Sequence, residues 1–349
     1  MPNEITFILG AGASAPFGFP TGAELVDKII ENLSTDHERS LHDRSLIDCL
    51  SQTVDDQTIQ EFRNKLKYSP IYSIDRFLSN FIKINDFQKI GKFSIAFYIS
   101  QNEKEASLFK KFDQDIKNKK FQFENWYASI FNQINSLIEN KPEKIPEVHI
   151  NFITFNYDRS LEWFFHKSIE HSFDLNEKEA KEIFSNFEQK RIIHVHGSLG
   201  DIFDYSYGLL DKYPAKFTAL ENMAKNIKIV TEVDTEGVSE SISMKITNSN
   251  KIYFLGFGYD PDNLKKIPIS KKIQLNGSKF FGSRYGIKKA ELDLIKNYFA
   301  KKQCGIDFFE QDAKEGTPWD LDCYQFIRNH VDWKEFAQQA RLQTEPQNR

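Results

Sequence analysis

The tightest constraint on this chain is a motif grammar that recurs along it: a short β-favouring run, then small or polar residues, then in most cases a helix. The first instance is Ile5-Thr6-Phe7-Ile8-Leu9, followed by Gly10-Ala11-Gly12-Ala13-Ser14-Ala15. The second runs from Val148 to Thr154, followed by Phe155-Asn156-Tyr157-Asp158 and an apolar helix through Leu161, Phe164 and Phe165. The third spans Arg191 to Val195 and is followed by His196-Gly197-Ser198. The fourth spans Lys251 to Leu255 and is followed by Gly256-Phe257-Gly258-Tyr259-Asp260. Strands that alternate with helices build parallel sheets, and such sheets take ligands at the carboxyl ends of their strands. The expected class is therefore α/β.

The 349 residues suggest about two domains. A pool of 40% hydrophobic residues, with 32 Phe and 13 Tyr, supplies an ample core and excludes global disorder. A net charge of −4 argues against a general nucleic-acid coat, so no direct nucleic-acid binding is expected. No apolar run approaches the length of about 18 residues that a membrane span needs. The opening MPNEITFILG has no signal-peptide pattern. Three scattered cysteines, Cys49, Cys304 and Cys323, form neither a disulfide framework nor a four-sulfur zinc site. Together these features point to a cytoplasmic protein, and no metal is expected in it.

Between residues 34 and 146 the pattern changes to amphipathic helical spacing, with helices predicted over 73–81, 92–99 and 126–137. This stretch reads as a helical insertion in the sheet-forming chain. The basic run Lys110-Lys111 and Lys117 to Lys120 reads as a solvated face rather than a binding patch. The acidic segment from Glu232 to Glu240 reads as a loop or a helix start, and residues 311–349 as a helical tail with a frayed end. Thr21 and Glu24 have capping-box spacing and open a helix with Leu25, Ile29, Ile30 and Leu33 on its apolar face.

The turn Gly10 to Ala15 fits G-x-G-x-x-A, in which glycines admit a diphosphate and the following amides oppose its charge. Any tight strand–helix turn also uses glycines. A dehydrogenase would next place an acidic residue at the end of a second strand about 20 residues on. Here Asp27 and Glu31 fall inside the predicted helix, which counts against hydride transfer.

The ordered set GAGAS with GFPT, TFNYD, HVHGS and LGFGYD resembles the sirtuin superfamily, most closely the sirtuin-like NAD-consuming domains of bacterial anti-phage systems. The likeness runs over residues 4 to 300, loosely across 34–146. It implies a Rossmann-like parallel sheet flanked by helices, with residues 1–33 and 147–310 forming the NAD-binding domain around the insertion. Gly10, Ala11, Gly12 and Ser14 match the phosphate motif, and Gly18, Pro20 and Thr21 match the cofactor-covering loop. Asn156 and Asp158 match the nicotinamide pocket, His196 the catalytic histidine, and Gly256 with Asp260 the loop on the adenosine side. The chain departs from deacylating relatives in three places. It has no four-cysteine zinc module, it reads Pro20-Thr21-Gly22-Ala23 in place of Pro-Asp-Phe-Arg, and Phe155 stands where they carry glutamine.

The resemblance thus implies an NAD glycohydrolase, with NAD as substrate, that depletes NAD during phage infection. Gating by self-association, or by a HerA-type ATPase or Argonaute-like partner, is expected. A protein deacylase and a non-catalytic NAD or ADP-ribose sensor are the alternatives. In this chemistry Asn156 orients water or a ribose hydroxyl, His196 accepts a proton, and the charge of Asp158 favours the cationic transition state. The residues also allow plainer roles: a structural histidine at a strand end, and an Asx turn at Asp158 that caps the next helix. Of the two nearby histidines, His194 is read as structural. Neither Asn156 nor His196 is expected to fill the core. Asp75 and Arg76 are read as a surface salt bridge, or as side chains that reach the cleft.

Overall fold

A computed structural model describes residues 4–34, 45–105, 125–203, 215–229, 232, 236–275, 277–284, 286–308 and 322–333. Six parallel strands form one sheet in the order β3-β2-β1-β4-β5-β6, flanked by helices. They are β1 (Glu4–Leu9), β2 (Ile150–Thr154), β3 (Ile192–His194), β4 (Ser249–Leu255), β5 (Lys279–Gly282) and β6 (Ile306–Asp307). This is an α/β Rossmann-like arrangement in which the strand order reverses about β1, the point where doubly wound sheets open a crevice.

The central strands are buried on both faces, so they read as continuous apolar runs rather than alternating ones. Alternation survives in where the side chains go. Phe7 and Leu9 pack on one face and Ile8 on the other. On the first face Phe152, Phe7, Tyr253 and Phe281 stack in a row across four neighbouring strands, with ring centroids 5.7, 5.5 and 5.0 Å apart. The described helices between β1 and β2 cover this face, and their buried residues, Leu46 to Ile138, belong to the same apolar cluster as Phe7 and Phe152. Helices Glu236–Asn248 and Lys289–Lys301 cover the opposite face.

Most expected elements occur, with shifted ends. Strand β2 starts at Ile150 because 3-10 turns occupy Pro142–Glu147. Arg191 ends the helix Glu177–Arg191 rather than opening β3. The predicted helices correspond to Ile74–Ser79, Asn85–Glu105 and Trp126–Ile138. Strands β5 and β6 carry no clear sequence signal, being short and partly exposed. Lys110-Lys111, Lys117 to Lys120 and most of 311–349 lie outside the described residues, although Cys323–His330 is helical. Among the described residues no helix is long and apolar enough to cross a membrane.

Register matters more to function than the strand count. Leu9 pairs with both Thr154 and Leu255, and Thr154 pairs with His194. Four strands therefore end on one row, and the residues after each leave the sheet along a single edge. The row continues for one more bond, with the amides of Phe155, Gly10 and Val195 donating to Leu9 O, Leu255 O and Thr154 O at 2.9, 3.0 and 2.8 Å.

Candidate active site

A cavity of 680 Å³ opens along this edge, within the range of about 300–1,000 Å³ typical of ligand sites. Of the residues singled out in the sequence, Gly10, Ala11, Ser14, Pro20, Thr21, Asn156, Asp158 and Asp260 line it. Gly12, Gly18, Gly256 and His196 do not.

The glycine turn is first a packing device. A Cβ on Gly10 would sit 2.6 Å from the Gly256 carbonyl oxygen, and one on Gly12 would sit 2.9 Å from it. Gly256 has φ +55° and would place a Cβ 2.0 Å from the amide nitrogen of Ala13. The turn's amides are also largely spent. Gly10 donates to Leu255 O at 3.0 Å, Gly12 to Gly256 O at 3.0 Å, and Ala13 to Gly10 O at 2.9 Å. The amides of Gly10 and Gly12 thus hold the first turn against the end of β4 and the loop that follows it.

The covering loop is fixed from two sides. Gly18, at φ +94°, ends a 3-10 turn, and its carbonyl accepts from Asn102 Nδ2 at 2.6 Å. Thr21 and Glu24 form the reciprocal capping box that starts the helix Gly22–Asn32.

Asn156 ties the first two strand ends together. Its Nδ2 donates to Gly10 O at 3.0 Å and to Ser14 Oγ at 3.3 Å, while its Oδ1 is buried with no partner among the described residues. Behind it stands His194, whose Nδ1 lies 3.2 Å from Asn156 O and whose Nε2 meets Glu162 Oε1. Burial opposes charge on His194, but the Glu162 carboxylate and the two hydrogen bonds outweigh it and raise its pKa. With both ring nitrogens facing acceptors, the imidazole ring braces the Asn156 backbone.

Asp158 is 6% exposed and accepts from the amide of Ser160 at 3.2 Å and from its hydroxyl. The Ser160 Oγ lies 2.7 Å from the hydroxyl of Tyr127. Burial pushes the Asp158 carboxyl up to about 6 against hydrogen bonds from Ser160 and Ser14, with Glu103 and Glu162 adding to the rise. The aspartate thus makes an Asx turn onto the helix Ser160–Ser172 while facing the cavity.

His196 departs from expectation, since it is 2% exposed. Its ring packs against Phe155 and Tyr157, at centroid distances of 5.6 and 6.2 Å, so it does fill space beneath the cleft. Its Nε2 is 3.1 Å from Asn263 Oδ1, and its Nδ1 is buried with no partner among the described residues. An amide oxygen only accepts, so Nε2 is the donor in this contact.

The helical insertion completes the site. Both Asp75 and Arg76 line the cavity. Asp75 Oδ1 accepts from the hydroxyl of Tyr157, and Arg76 lies 3.8 Å from Asp260 across the opening. Sequence reasoning missed Asn263, Tyr157, Ser160 and Glu162. Three of them had an available signal: Tyr157 stands between Asn156 and Asp158, Ser160 lies at Asx-turn spacing after Asp158, and Asn263 lies one helical turn after Asp260. Among the described residues no group of three or more His, Cys, Asp or Glu is arranged to hold a metal ion, and the three cysteines are free thiols. In the comparisons with known proteins, no family model matches the chain and no curated protein matches it.

Proposed function

We propose that this cleft is the active site of a sirtuin-like NAD⁺ glycohydrolase that releases nicotinamide and ADP-ribose. The observation that carries the reading is the pair of buried, unpartnered acceptors, Asn156 Oδ1 and His196 Nδ1, on loops that leave the sheet from one row of strand ends. The nicotinamide–ribose bond breaks through an oxocarbenium-like centre, and nicotinamide departs from a cationic ring without needing a proton. The protein must then hold the ribose, favour spreading positive charge and accept one proton from water. Asn156 Oδ1 accepts from a ribose hydroxyl or from the attacking water. His196 Nδ1 takes the proton, and Asp158 lends negative charge to the transition state. The resemblance extends the proposal to defence by NAD depletion, with the enzyme gated through self-association or a partner protein.

Purified full-length protein incubated with NAD alone, and with candidate partners, tests this by nicotinamide release on chromatography. The substitutions Asn156→Ala and His196→Gln are expected to cut release by about 100-fold or more with unchanged circular dichroism. Glutamine keeps most of the buried volume that the histidine fills. Turnover only with an acyl-lysine peptide would mark a deacylase, and binding without turnover a sensor. NAD left intact under every condition rejects hydrolysis.

A further inference from the structure

We infer that Arg76, from the helical insertion, is the group that recognises the diphosphate of a bound dinucleotide, and that Asp260 holds it in place until the ligand arrives. The inference rests on the dinucleotide reading of the cleft and adds a residue whose role the sequence left open.

A diphosphate carries two negative charges and needs donors or cations. Four charged side chains among the described residues line the cavity: Asp75, Arg76, Asp158 and Asp260. Arg76 is the sole cation of that set. Of the turn's amides, those of Gly10, Gly12 and Ala13 donate to backbone carbonyls, so the turn offers few donors and no full charge. Neutralising the ligand therefore falls to Arg76. A guanidinium suits the task, since its planar fork meets phosphate oxygens two at a time.

The surroundings fix the backbone of Arg76 and leave its head free. Ile74, Phe77 and Leu78 of the helix Ile74–Ser79 are buried, Ser73 Oγ accepts from the Arg76 amide at 3.4 Å, and Asp75 is held by Tyr157. The Arg76 side chain itself is 56% exposed. Its contact with Asp260 Oδ2, at 3.8 Å, is longer than the 2.7–2.9 Å or so of a charge-assisted hydrogen bond. Such a loose, hydrated pair exchanges readily for a more highly charged partner. Asp260 divides its work between its oxygens: Oδ1 caps the helix Pro261–Lys265, accepting from Asp262 N at 2.8 Å and Asn263 N at 3.4 Å, while Oδ2 faces Arg76. An asparagine would keep the cap and remove the competing charge.

The test is calorimetric titration of ADP-ribose into the full-length protein and the variants Arg76→Gln, Arg76→Lys and Asp260→Asn. The expected result is a loss of about tenfold in affinity for R76Q, partial recovery for R76K and tighter binding for D260N. Opposite signs for R76Q and D260N are the signature of an exchangeable partner. Wild-type affinity in R76Q overturns the inference, and so does a D260N variant that weakens binding, which would make the pair a structural clasp. If the wild-type protein hydrolyses NAD while R76Q shows unchanged KM, this inference fails and the glycohydrolase reading stands. If the wild-type protein binds no ADP-ribose and leaves NAD intact, both fall.

Discussion

Two arginines tie the helical insertion to the loops at the sheet's edge, and they do so in opposite ways. Arg159, which follows Asp158, meets Glu103 of the helix Asn85–Glu105 at 2.6 Å with side-chain exposures of 2% and 0%. The remaining donors of Arg159 are also engaged: its amide donates to Glu103 Oε1 at 2.8 Å and its Nη1 to Asp201 O at 2.9 Å. Arg76 meets Asp260 at 3.8 Å with exposures of 56% and 33%. The two pairs bring together the same chemical groups, but only the first has lost its water. A dehydrated, fully bonded pair is rigid, because neither charge can leave without stranding the other. A hydrated pair costs little to open. The dry pair therefore sets where the insertion sits over Asp158, and the wet pair is free to respond to what enters the cleft.

Breaking the dry pair should produce the largest effect on folding. Glu103→Ala strands the Arg159 guanidinium in the interior and is expected to cost about 3–5 kcal/mol by urea denaturation. A loss below about 1 kcal/mol would mean that water compensates the pair and that the two bridges are alike.

A smaller effect, of opposite sign, is expected at Asp158, the neighbour of Arg159 in sequence. Asp158 has its carboxyl raised from 3.8 to about 6 by burial. A carboxyl whose folded pKa exceeds its unfolded value favours folding when protonated. Its contribution is fully present below about pH 4 and is lost as pH rises through about 6. Asp158→Asn should remove that loss, raising stability at pH 7 by about 1–3 kcal/mol and flattening the profile between pH 4 and 6. Thermal unfolding across that range is the measurement, and an unchanged slope would show that Asp158 is not a source of it. Under the proposed glycohydrolase reading, the same variant should also lower nicotinamide release, because the transition state loses a nearby negative charge.

The smallest effect belongs to the wet pair. Arg76→Gln is expected to change stability by less than about 1 kcal/mol, with a unit of salt erasing much of the difference. A larger loss in urea denaturation would place Arg76 with Arg159 as scaffolding.

The fold was legible wherever signals are local. Unbroken apolar runs such as Ile5 to Leu9, the glycines after them and the capping box at Thr21 arise from neighbouring residues, and the structure repeats them almost in place. Strands β5 and β6 escaped notice because two to four residues give too little periodicity to read. The site was legible as a set of strand-end motifs, but the working state of each residue was not. Nothing near Gly12 in sequence shows that its amide is taken by Gly256, 244 positions away. Likewise Phe155, Tyr157 and Asn263 enclose His196 only after β2, β3 and the β4 loop come together.

The chain's own order of residues thus decided which segments become strands and which residues follow each strand, because backbone preference and side-chain alternation act over a few positions. Tertiary structure alone decided that four strand ends stand level, that the glycine amides are consumed, and that an arginine arrives from the insertion to face the cleft. Those outcomes depend on hydrogen-bond register and burial between segments from 40 to more than 200 residues apart, where solvent exclusion rather than local propensity sets each group's charge, partners and reach.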